Sequence, residues 1–251
     1  MMTPVDVILL IGAGVAAGIA GTAGGIASLV SYPALLAAGL APLPANVANI
    51  VALVPYLPGS ALASRPELEG RGPWLWRWGL LAAVGGATGA ALLLTTPPGV
   101  FARVVPFLVV AAVVGLLLQP WLRRLHERSR ASAVRLVFPI AILLVQVYSG
   151  YFGAGSGVMT LTLLLIAVEP HIVRANALKN VLTGAATVAS AMVLVSFADV
   201  RWAYVIPLGS GILFGSLLGP VVARRIPAGV LRWFVALVGL GLAIKLWIAP
   251  G

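Results

Sequence analysis

The chain contains no cysteine in 251 residues, which excludes disulfides, thiolate metal sites and cysteine nucleophiles. Acidic residues are almost as scarce. Asp6, Glu67, Glu69, Glu127, Glu169 and Asp199 are the full set, and all map to connections or segment ends. With no acid at the centre of an apolar segment, proton coupling through a buried carboxylate is weakly supported. The two histidines, His126 and His171, also fall in connections, where an imidazole is ordinarily solvated. No catalytic residue, metal or cofactor is expected. Only two lysines, Lys179 and Lys245, accompany 14 arginines, and only the first needs a chemical explanation.

Charged residues make up 9% of the sequence and hydrophobic ones 61%, with a mean hydropathy of +1.09. A soluble domain of this size needs more polar surface, so the composition describes a polytopic membrane protein. The net charge of +10 would suit nucleic acid, but the basic residues lie in short stretches between apolar segments. That is the pattern of membrane topology, and no nucleic-acid partner is expected. The N-terminal run follows Pro4 and Asp6 without a basic region, and reads as a first membrane segment rather than a cleaved signal peptide.

Six segments have the roughly 20 apolar residues that a spanning helix requires: Ala45–Ser64, Trp74–Leu94, Val100–Gln119, Ile172–Phe197, Trp202–Val222 and Ala228–Ile248. Two further stretches are interrupted by glycine. Gly18-Ile-Ala-Gly21-Thr-Ala-Gly24-Gly25 divides residues 5–40 into Val5–Ala20 and Ile26–Leu40. Gly150-Tyr-Phe-Gly153-Ala-Gly155-Ser156-Gly157 separates Val134–Ser149 from Val158–Val168. The pieces are about 16–24 Å long as helices, short of a core about 30 Å thick, so each pair reads as a hairpin with its glycine tip inside the membrane. Two tilted spans per pair are the alternative.

With each pair returning the chain to its starting side, the arginine-rich connections fall on one face. These hold Arg65, Arg71 and Arg77; Arg123, Arg124, Arg128, Arg130 and Arg135; Arg174; and Arg224 with Arg225. Only Arg103, Arg201 and Lys245 lie toward the other face, with Lys179 and Arg232 unassigned. The positive-inside rule then puts both termini in the periplasm. Each half crosses an odd number of times, so the halves are oppositely oriented. An offset of 132 superimposes Gly18, Gly21 and Gly25 on Gly150, Gly153 and Gly157, and Ser28 on Thr160. Asn46 matches Asn176 at an offset of 130. The expected fold is all-α: two inverted repeats of about five apolar segments, each a broken Gly-tipped hairpin plus three spanning helices. The first repeat is 1–120 and the second 134–251, joined by a basic cytoplasmic linker at 121–133.

Broken segments at matching places of two repeats point to a transporter's binding site. Glycine tolerates positive φ and lets another backbone or a ligand come close. The helices starting near Gly25 and Gly157 present free N–H groups suited to an anion. The candidate substrate-binding residues are Gly21, Thr22, Gly24, Gly25 and Ser28 with Asn46 and Asn49 in the first half. In the second they are Gly153, Gly155, Ser156, Gly157 and Thr160 with Asn176, Lys179 and Asn180. The last three share a helix face. Helix packing through small residues is the competing explanation, and it suits Gly85 with Gly89 and Gly211, Gly215 with Gly219 better than the two tips. Lys179 could equally be a snorkelling anchor and the asparagines simple interhelical donors. A serine hydrolase within the membrane is disfavoured, because Ala154 stands where Gly-x-Ser-Gly needs its first glycine and neither histidine lies in a span.

The duplicated glycine motif, with Ala45-Asn46 after the first copy and Arg174-Ala175-Asn176-Ala177-Leu178-Lys179-Asn180 after the second, resembles the sulfite exporter TauE/SafE family of permeases. The resemblance covers essentially the whole chain, although Ser156 replaces a glycine of the family pattern. It implies movement of sulfite, thiosulfate or organosulfonate-type anions across the bacterial inner membrane, with the bilayer and a small anion as partners. The residues add a mechanism, alternating access with an oxyanion held between the two tips. A cation or metabolite channel of the same architecture and a non-transporting scaffold are the alternatives. Oligomeric state, including a homo-oligomer, stays open.

Overall fold

The computed structural model describes residues 3–126 and 131–223, with the side chains of 3–118 and 137–219. Eleven helices account for them: α1 (Pro4–Gly24), α2 (Ser28–Ala37), α3 (Pro42–Ala52), α4 (Tyr56–Ala63), α5 (Arg65–Leu68), α6 (Gly72–Thr95), α7 (Pro98–His126), α8 (Ala131–Tyr151), α9 (Ser156–Ala167), α10 (Ile172–Phe197) and α11 (Trp202–Ala223). No strand occurs among the described residues, and six of the helical stretches are long and apolar enough to cross a membrane. The expected span 228–248 lies outside the described residues, as do Arg128, Arg130, Arg224, Arg225, Arg232 and Lys245.

Two expectations need correction. The first arms of the two interrupted stretches are not short, since α1 and α8 each run for 21 residues, about 32 Å. Only the second arms, α2 with 10 residues and α9 with 12, fall well short of the core. The segment 45–64 is long and apolar enough to cross, as 42–63, but it is not one unbroken helix. It stops at Leu53 and restarts at Tyr56, because Pro55 has no N–H to continue the ladder. Within the linker at 121–133, α7 continues to His126 and α8 starts at Ala131, and 127–130 lie outside the described residues.

Local chemistry fixes the ends of α1. Pro4 occupies the first turn, where its missing N–H costs nothing, and Thr3 with Asp6 forms a reciprocal capping box. At the other end Gly25 adopts φ 73° and donates to the Gly21 carbonyl at 2.7 Å, so the helix stops inside the protein.

With lipid as solvent, close packing replaces hydrophobic transfer as the force between helices, and glycine sets how close they come. Along α1 and α11, Gly14 faces Leu208 and Gly211, Gly18 faces Ile212 and Ser216, and Thr22 faces Gly219. These pairs advance together, so α1 and α11 run parallel. Gly85 against Gln146 and Gly89 against Gly150 make α6 and α8 parallel in the same way. Gly86 lies on Ala186, and near the N-terminal ends of both helices Arg71 pairs with Glu169, so α10 runs alongside α6 in the same sense. The chain reverses between α10 and α11 at residues 198–201.

Glu169 sits between α9 and α10 and is 4% exposed. Burial opposes its ionisation. Hydrogen bonds from the His171 ring and amide, and then the Arg71 charge, outweigh that effect and hold the carboxyl below the ordinary glutamate value of 4.5. A depressed carboxyl adds stability above the unfolded-chain value, and that stability is lost as pH falls through the folded one. The melting temperature in detergent should therefore drop below about pH 4.5, and Glu169→Gln should flatten that part of the curve.

Glycine packing has a second consequence. At Gly86 a Cβ would meet the Ala186 backbone, whereas nothing lies within 4 Å of one at Gly79. Gly86→Val should cost about 1–3 kcal/mol and lower the melting temperature by several degrees. Gly79→Ala should leave it unchanged or raise it slightly, since alanine is favoured over glycine within a helix by about 1 kcal/mol.

Candidate functional site

The two glycine tips meet backbone to backbone. A Cβ on Gly25 would lie 2.6 Å from the Gly157 carbonyl carbon, and one on Gly157 would lie 2.6 Å from the Gly25 carbonyl oxygen. No other residue type fits either place. Gly153 and Gly155 bend the second tip through φ 81° and 77° and lead into α9 at Ser156. The N-terminal end of α9, whose first N–H groups lack partners within the helix, is thereby brought to the C-terminal end of α1.

Three carbonyls at the ends of α1 and α8 accept from side chains of the other half of the sequence, Gly21 in addition to its bond from the Gly25 N–H. Asn176 donates to the Thr22 carbonyl at 2.8 Å, and the Lys179 ammonium to the Gly21 carbonyl at 3.0 Å. Asn46 donates to the Tyr151 carbonyl at 2.9 Å. The positions matched at an offset of 130 thus do the same job at opposite tips. Asn49 and Asn180 accept from the Ser31 and Tyr56 hydroxyls.

Lys179 is 0% exposed, and among the described residues no carboxylate pairs with it. A cation at a helix C-terminus gains at most about 2 kcal/mol. Burying an ion costs several kcal/mol. The carbonyl contact therefore leaves positive charge only partly compensated beside the tips, where an anion would complete it.

Beside the tip contact is a cavity of about 50 Å³ lined by Gly21, Gly25, Ala27, Ser28, Ile50, Leu53, Tyr56, Ser149, Gly153, Ser156, Gly157, Thr183 and Thr187. That is room for roughly four water molecules, or one small oxyanion in their place. The residues singled out from the sequence divide here. Gly21, Gly25, Ser28, Gly153, Ser156 and Gly157 line the cavity. Asn46, Asn176 and Lys179 cap the helix ends behind it. Thr22 turns its hydroxyl back to the Gly18 carbonyl at 2.9 Å, and Thr160 bonds the Ser156 carbonyl and Gln146. Gly24, Gly155 and the Asn49 and Asn180 side chains stand outside the lining set.

Several lining residues carried no sequence signal of their own. Thr183 and Thr187 follow Lys179 at intervals of four, which places all three on one face of α10 and could have revealed them. Tyr56 follows the Pro55 break, and Ser149 directly precedes the second motif. Gln146 is buried against Gly85. Among the described residues, five of the six unpartnered buried side-chain atoms lie near the tips, Asn46 Oδ1, Asn49 Nδ2, Gln146 Oε1, Asn176 Oδ1 and Asn180 Nδ2, and the sixth is Glu67 Oε2 in α5. Each forgoes about 1–3 kcal/mol, so most of the stability given up in this way is given up near the tips.

The family described as sulfite exporter TauE/SafE matches residues 8–246. A protein from Sinorhizobium sp. described as "Probable membrane transporter protein ORF9" is 27% identical over 245 residues, covering 94% of this chain and 91% of that protein. No solved structure matches significantly.

The capping roles are open to measurement. Asn46→Ala and Asn176→Ala each orphan a buried helix-end carbonyl, and each should destabilise the protein by about 1–3 kcal/mol in detergent melts. If Asn176→Ala alone did so, the two tips would not be held in equivalent ways.

Proposed function

The chain belongs to the sulfite exporter TauE/SafE family, whose members are membrane transporters and not enzymes, and on that basis we propose that it moves small sulfur-containing anions across the bacterial inner membrane. Sulfite, thiosulfate and organosulfonates make up the proposed substrate class. The observation that carries the anion reading is the buried Lys179 ammonium. It is held 3.0 Å from the carbonyl of a cavity-lining glycine without a carboxylate partner. A cation-conducting site would place that charge against its own ligand.

The proposed mechanism is alternating access about the contact of the two tips. Its support is an opposed arrangement of the halves. α1 is parallel to α11, α11 reverses from α10, and α10 runs with α6 and α8; α1 therefore opposes α8, its counterpart in the second half. Two oppositely oriented hairpins meeting at a cavity form a site whose walls come from both halves, and rocking one half against the other would open it to each side in turn. The Arg71–Glu169 pair supports a shared cytoplasmic face for the connections at 64–71 and 168–171, with the N-terminus in the periplasm.

In proteoliposomes, Lys179→Ala and Gly157→Leu should each abolish uptake of sulfite and related anions while the purified variants keep a cooperative melt. The first removes the charge and the second forces the tips apart. Transport by both at the wild-type rate would overturn the assignment of the site.

A further inference from the structure

The six hydroxyl groups on the cavity wall do not offer what a fully ionised oxyanion needs. Thr183 donates its proton to the Lys179 carbonyl at 2.8 Å, and Thr187 to the Thr183 carbonyl at 2.9 Å. Ser156 donates to the Gly153 carbonyl at 2.8 Å. Ser149, 3.1 Å from the Ser156 oxygen, must then be the donor of that pair. Tyr56 donates to Asn180. A hydroxyl has one proton and two acceptor lone pairs, so these five turn acceptors toward the cavity. Ser28 alone makes no hydrogen bond among the described residues and keeps a proton to give.

A wall of lone pairs by itself would suit a cation. Lys179 stands against that, and among the described residues no acidic side chain lines the cavity. A dianion fares no better. Among the described residues Lys179 is the buried cation, and lone pairs facing a doubly charged oxyanion add repulsion. The ligand that fits carries one negative charge and a proton of its own.

We infer that the cavity takes its oxyanion in the singly protonated, monoanionic form, with the ligand O–H donated to the Thr183, Thr187 or Ser156 oxygen. The transported proton travels on the substrate. This rests on the anion-permease reading above and narrows it: hydrogen sulfite fits, whereas sulfite, thiosulfate and sulfate dianions do not. It also gives a transporter with no carboxylate inside a span, among the described residues, a way to move a proton with its cargo. The proton stays bonded to the oxyanion in the cavity and is lost to water only after release on the far side.

No other titratable group on the walls competes for that role. Besides Tyr56 and Lys179, α2 carries Tyr32, which donates to the Pro42 carbonyl, and α8 carries Tyr148, which donates to the Ala154 carbonyl, and Tyr151, which accepts from Thr96. Asp6 is at the far end of α1, α3 and α9 have no titratable group, and Arg174 is exposed at the start of α10.

The test is sulfite uptake by the full chain in proteoliposomes, at fixed total sulfite, as pH is raised through the second ionisation of sulfurous acid near neutrality. Uptake above that of protein-free vesicles should fall roughly tenfold per pH unit on the alkaline side, following the protonated fraction. A pH dye inside the vesicles should report acidification in step with uptake. Excess sulfate or thiosulfate should not compete. Thr183→Val should weaken apparent sulfite affinity about tenfold, the worth of one hydrogen bond, and Thr183→Ser should restore it. Uptake that holds steady or rises with pH, or competition by either dianion, overturns the inference and leaves the anion-permease reading standing. Absence of protein-dependent uptake of any sulfur oxyanion at every pH overturns both.

Discussion

Everything at the centre of this protein depends on two stretches of peptide backbone touching where there is no water to hydrogen-bond them. In a bilayer, chain that leaves the helical conformation is tolerated only inside protein or against a wet cavity. Gly25 and Gly157 meet this condition by contact, since neither place has room for a Cβ. At that contact, among the described residues, the Thr22 and Tyr151 carbonyls have no backbone donor and the Gly21 carbonyl has only the Gly25 N–H. Asn46, Asn176 and Lys179 satisfy them, each reaching across from the other half of the chain.

The energetics follow from that arrangement. Close glycine packing of α1 on α11 and of α6 on α8 and α10 supplies the cohesion that apolar burial cannot supply in lipid. Part of that stability is given back near the tips, where a lysine is buried without a carboxylate and several amide atoms lack partners. A structure optimised only for rigidity would have replaced them with apolar side chains. Their concentration behind one small cavity fits the proposed anion site.

Much of this was legible in the sequence for physical reasons. Span length and charge parity are set by bilayer thickness and by the cost of moving arginine across it, so α6, α10 and α11 fall within two residues of their expected limits. The glycine tips were legible because only one residue type fits there. The break inside segment 45–64 was missed because mean hydropathy masks a single proline, although Pro55 and Pro58 were both in view. The arms α1 and α8 were underestimated because glycine within the motif, as at Gly18 and Gly21, was taken for the end of a helix that continues past it. Thr183 and Thr187 were passed over because a threonine returning its proton to its own helix looks the same in sequence as one that meets a ligand.

By itself the sequence determined an all-helical membrane protein with two glycine-interrupted hairpins and one lysine deep in a span, because hydropathy, charge and glycine act locally and are countable. The tertiary structure decided which atoms those features present to one another. It set Gly25 against Gly157, turned Lys179 onto the Gly21 carbonyl, and committed five of six cavity hydroxyl protons to protein acceptors. Hydrogen-bond direction depends on where each neighbouring carbonyl lies, and only the folded chain fixes that.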